Sequence, residues 1–98
     1  MPQLLVRILG LVPDERISVD SAVLLIQRCS TLSRSESQVI LLDYMGVNRD
    51  EICAHMGVSS ESVRTYWKRI YRKIGCHTRT AARTWVEALL NRELGKTA

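Results

Sequence analysis

Between Val58 and Gly75, polar and cationic side chains recur at helical spacing: Arg64, Thr65, Lys68, Arg69 and Arg72. On a period of about 3.6 residues Thr65, Lys68 and Arg72 fall on one side, flanked by Arg64 and Arg69, while Val63, Trp67, Ile70 and Ile74 stack opposite. Guanidinium and ammonium groups displayed along one helix face suit an anionic polymer, whose phosphates they neutralise and whose base edges they can reach. From Ser62 through Val86 the chain has seven Lys or Arg and no Asp or Glu. The net charge of the 98 residues is +4 and the pI is near 9.3, yet the chain without that segment would carry a net −3. The positive charge is therefore regional, as a nucleic-acid footprint requires. A solvated surface helix can present the same face, and the preceding residues bear on the choice.

Those residues, Asn48 to Val63, read as two short helices joined by a tight turn. Asn48 and Glu51 have capping-box spacing, Gly57 supplies backbone freedom for the turn, and Ser59 can cap the next helix. Ile52, Met56, Val58 and Val63 supply apolar contacts between the two helices, with the small Cys53 at their crossing. This is helix-turn-helix patterning. A further helix precedes it, opened by Ser33 and Glu36 at the same capping-box spacing, carrying Val39, Ile40 and Leu42, and ended by Gly46.

With these landmarks the segment from Leu32 to about Val86 resembles the DNA-binding domain of the LuxR/GerE group of bacterial transcription regulators. The matching residues are Leu32-Ser33, Glu36, Val39, Gly46, Glu51-Ile52, Gly57-Val58-Ser59, Val63, Thr65, Ile70 to Gly75, Arg79-Thr80 and Ala82, in order and without a gap. Asp43 and Tyr44 depart from the family's apolar and small residues, Ser35 replaces a common Arg, and Tyr66 replaces a common His. Near the Val39 face, the Asp43 carboxylate needs a partner or an exposed site. The resemblance implies an all-α fold, a four-helix helix-turn-helix domain over 32–93; the residues outside it read as a helical N-terminal extension over 1–31 and a tail at 94–98.

It further implies a dimeric regulator of transcription that binds double-stranded DNA through the major groove. Arg64, Thr65 and Lys68 would reach base edges, with Arg64 the candidate for a bidentate contact to guanine. Arg49, Ser59, Ser62, Tyr66, Arg69, Arg72 and Arg79 would contact phosphates and fix register. The last helix, Thr80 to Glu93, carries a stripe of Ala82, Trp85, Val86, Leu89 and Leu90, widened by Ala81 and Ala88. One edge is expected to pack inward and the other, Ala81, Trp85, Ala88 and Leu89, to meet a homodimer mate.

Residues 1–31 carry no motif but are richly apolar. Leu4, Leu5 and Ile8 suggest one short helix, and a second spans about Asp20 to Arg28, although a strand through Ala22 to Ile26 has the same short apolar pattern. This extension is expected to cover Leu41 and Met45 of the Ser33-capped helix and to offer surface to another transcription protein. It is too short for the receiver or small-molecule-binding domain that larger family members carry, so no small-molecule ligand is expected. Neither apolar run approaches the roughly 18 to 20 residues that span a bilayer, and no signal-peptide pattern is present, so the expected location is cytoplasmic.

The cysteines at 29, 53 and 76 form no CxxC pair and their odd number does not close a disulfide framework. Cys76, His77 and His55 lack the spacing of a zinc module, and no nucleophile, base and orienter recur together. Neither a cofactor nor an enzymatic activity is expected. Two other readings use the same helices: an adaptor or anti-regulator that retains the fold, and a promoter-recognition domain of a sigma factor. Tyr71 to Gly75, with Arg79-Thr80 and a final helix, favours the LuxR/GerE pattern.

Overall fold

Each described helix starts behind a short polar side chain that accepts the backbone N–H three residues further on. Ser18 accepts from Ser21 (3.1 Å), Ser33 from Glu36 (3.1 Å), Asn48 from Glu51 (2.9 Å), Ser59 from Ser62 (3.1 Å) and Thr78 from Ala81 (3.0 Å). These caps satisfy N–H groups that have no partner within the helix. The computed structural model describes residues 18–95, where the regular structure is helical throughout. The helices are α1 Val19–Arg28, α2 Arg34–Tyr44, α3 Arg49–Met56, α4 Ser60–Ile74 and α5 Arg79–Gly95.

Both expected capping boxes close, with Ser33 N–H donating to Glu36 Oε1 (2.9 Å) and Asn48 N–H to Glu51 Oε1 (3.2 Å). Helices α3 and α4 end at Gly57 and Gly75, whose φ angles of 69° and 71° are left-handed. A Cβ built on either glycine would meet nothing within 4 Å, so backbone conformation, not space, selects glycine there.

Helix α2 is the centre of the molecule and packs against each of the other four. Its consecutive residues Val39, Ile40, Leu41 and Leu42 are all buried, because neighbouring helices pack on it from several sides. Helix α1 lies against α2 and α5 and contributes Ala22, Val23 and Ile26 to the same core that contains Leu41 and Met45. The sequence expectation of cover for that side of α2 is thereby met by the second apolar run, which is helical and not a strand. The expected helix through Leu4, Leu5 and Ile8 lies outside the described residues. The final helix begins one residue before the expected span and continues through Leu94 and Gly95.

Asp43 does have a partner. Arg83 of α5 donates from Nε to Asp43 Oδ2 (3.0 Å) and from Nη2 to Oδ1 (3.2 Å), a two-point contact that joins α5 to α2. The hydrogen bond to Asp43 and its charge raise the Arg83 pKa. Beside it, burial raises the Tyr44 hydroxyl pKa, with the Glu87 charge adding to the effect. Cys53, expected at the crossing of the two helices, is half-buried at the edge of the core.

Candidate nucleic-acid interface

Helix α3, the Gly57 turn and α4 form the helix-turn-helix. Ile52 and Val63 are buried, and Met56 and Val58 pack half-buried against the core, so apolar contacts lock the two helices together across the turn. Val63, Trp67 and Ile70 anchor α4 inward, and this fixes which of its faces meets solvent. Arg64, Thr65, Lys68, Arg69 and Arg72 are all exposed on that outer face.

The seven cations of the basic segment divide into two groups. Arg64, Lys68, Arg69 and Arg72 lie along α4 with no ion-pair partner among the described residues. The other three are engaged by groups of the same chain: Lys73 by Glu36, Arg83 by Asp43, and Arg79 by two aromatic rings. From sequence, the first four are expected on DNA together with Arg79, and Lys73 and Arg83 are given no contact.

Lys73 Nζ stands 2.7 Å from Glu36 Oε1, the same oxygen that accepts the Ser33 N–H. Burial alone would raise the Glu36 pKa, but the Lys73 hydrogen bond and charge and the Ser33 bonds outweigh it and hold the carboxyl below its ordinary value. The contact ties the C-terminal end of α4 to the start of α2. Glu36 was recognised as a capping residue, but nothing in sequence spacing indicated a partner 37 positions away.

Arg79, expected on a phosphate, has its guanidinium carbon 3.7 Å from the Trp67 ring centroid, and its Nη1 donates to the Tyr71 hydroxyl. It also borders an open depression shared with Asn48, Arg49 and Asp50 at the start of α3. Arg49 is exposed at the first position of α3. The Ser59 and Ser62 hydroxyls are bonded to each other (3.1 Å) at the N-terminus of α4, where the helix dipole also favours an anion. Tyr66 is half-buried with its ring against the core. Thr65 Oγ1 donates to the Glu61 carbonyl (3.1 Å), so its methyl group and oxygen lone pairs are what it offers outward.

On α5, Ala81 and Trp85 are half-buried and Ala88 is exposed. Leu89 is 3% exposed, packed in the core of its own chain. Its place in the expected dimer edge is corrected accordingly, since a side chain already removed from water has no apolar surface left to bury. Among the described residues no three His, Cys, Asp or Glu gather to hold a metal, and no helix is long and apolar enough to cross a membrane.

Against known protein families, residues 30–86 match the GerE model, described as bacterial regulatory proteins of the luxR family. Comparison with curated proteins and with solved structures gave no significant match.

Proposed function

The chain belongs to the LuxR family of bacterial regulatory proteins, a family of DNA-binding regulators, and from that premise we propose that it regulates transcription as a homodimer, with α4 in the major groove of double-stranded DNA. The observation that carries this reading is the row of four cations along the outer face of α4, without ion-pair partners among the described residues, on a helix whose inner face is locked into the core. Such a row can neutralise phosphates and reach bases without breaking any internal contact. Arg64 and Lys68 read base edges, Arg64 by a bidentate contact to guanine, and Thr65 presents its methyl group, suited to a thymine methyl. Arg49, Ser59, Ser62, Tyr66, Arg69 and Arg72 hold the phosphates and set register.

The proposed organisation is a DNA-binding domain from residue 32 through the end of α5 at Gly95, which extends the expected boundary at 93, preceded by an extension over 1–31 whose α1 packs on α2 and which offers protein contacts. Dimerisation through Ala81, Trp85 and Ala88 of α5 implies two half-sites roughly 10 base pairs apart. The test is selection of duplexes from a random-sequence library, followed by salt titration of binding and sedimentation of the free and bound protein. A selected sequence bound well above a scrambled one by a two-chain complex supports the proposal. Equal binding of both, or a monomer in both states, refutes the corresponding part.

A further inference from the structure

Helices α4 and α5 both pack on α2 but do not pack broadly on each other. Beyond the short connector after Gly75, a guanidinium of α5 reaches across to α4. Arg79, the first residue of α5, lies over Trp67 at 3.7 Å and near Tyr71 at 5.4 Å, and donates to the Tyr71 hydroxyl. Trp67 and Tyr71 are one helical turn apart on α4, their ring centroids 5.4 Å apart and their planes inclined by 41°. They form a tilted aromatic seat for the cation. Both rings sit one residue from a proposed DNA contact, since Trp67 precedes Lys68 and Tyr71 precedes Arg72.

We infer that Arg79 is a positioning residue for DNA recognition: its stack on Trp67 and Tyr71 pins α5 to α4 and sets the orientation in which α4 presents Lys68 and Arg72. It acts through the rings and not as a phosphate ligand. This rests on the proposed function. A guanidinium suits the task because its flat face stacks while its edge still donates, which an ammonium cannot do in the same geometry. An arginine that instead bound a phosphate would release a counterion and contribute to the salt slope of binding.

The two roles therefore separate in one experiment. Arg79→Met, Tyr71→Phe, Trp67→Leu and the Arg79→Met/Trp67→Leu double variant are titrated against a duplex selected by the unaltered protein and against a scrambled duplex, over a range of salt. Circular dichroism confirms that each is folded, and Tyr71→Phe, which loses only one oxygen, covers the case in which Trp67→Leu does not fold. The expected result is a loss of about ten-fold in affinity for the selected duplex in Arg79→Met and a smaller loss in Tyr71→Phe. The double variant is no weaker than the weaker single one, and all salt slopes equal that of the unaltered protein. A slope lowered by about one unit in Arg79→Met, with Tyr71→Phe unchanged, makes Arg79 a phosphate ligand and overturns the inference. Additive losses overturn it as well. If the unaltered protein binds no duplex at all, the proposed function fails and this inference falls with it.

Discussion

Lys73 approaches to 2.7 Å from a carboxylate, Glu36, that is itself 2% exposed and already closes the capping box of α2. One oxygen of Glu36 thus receives both a backbone N–H and an ammonium, so the end of the DNA-facing helix and the start of the central helix share an acceptor. Lys73 Nζ is drawn inward, although its neighbour Arg72 projects to solvent.

Replacement of Lys73 by Met should leave Glu36 buried with the Ser33 bonds alone. The Lys73 side chain is 33% exposed, so the pair is partly screened and the loss falls below that of a fully buried pair. The expected destabilisation is about 1 to 2 kcal/mol. A urea midpoint that drops at constant slope would bear this out, and an unchanged midpoint would count against it.

The same contact makes stability depend on acid. Glu36 has a lower pKa in the folded chain than its ordinary value, so in the interval between the two the unfolded chain binds more protons and stability rises with pH. The contribution is complete above the ordinary Glu range, roughly pH 4.3, and is lost as pH falls through the lower folded value. Unfolding free energies measured from about pH 6 to about pH 3 should fall more steeply for the unaltered protein than for Glu36→Gln. Parallel curves would remove Glu36 from the account.

Ile26 is fully buried on α1, and Leu24, two residues away, is half exposed. Truncation of Ile26 to Ala should cost about 2 to 4 kcal/mol through lost burial and a cavity. Leu24→Ala should change stability by no more than about 0.5 kcal/mol. Comparable effects in chemical denaturation would mean that α1 does not complete the core as described.

On a selected duplex, Arg64→Ala and Lys68→Ala should each cost about 1 to 3 kcal/mol and narrow the preference over a scrambled duplex. Arg72→Ala should weaken both duplexes about alike and lower the salt slope by about one unit. Fluorescence anisotropy over a range of salt distinguishes these patterns. Selective binding left intact in Arg64→Ala and Lys68→Ala would sink the base-reading assignment.

The starts of α2, α3 and α4, the Gly57 turn and the two-faced character of α4 are properties of the sequence alone. Their physical basis is local: a cap bonds three residues ahead, a left-handed glycine needs no neighbour, and helical periodicity operates over three or four positions. On helix α2 the sequence called for cover both on the Val39, Ile40 and Leu42 side and on the Leu41 and Met45 side, and all five residues are buried. Only the tertiary structure decided which cations remain available. Lys73, Arg79 and Arg83 looked like their neighbours in sequence, but helix packing brings Glu36, an aromatic pair and Asp43 within reach of them. Leu89 likewise belonged to a stripe wide enough for two contacts, and the crossing of α5 over α2 assigned it to the core. Partners 37 and 40 positions apart meet because separate helices dock on α2, and long flexible side chains then turn toward whatever counter-charge or ring lies within their length.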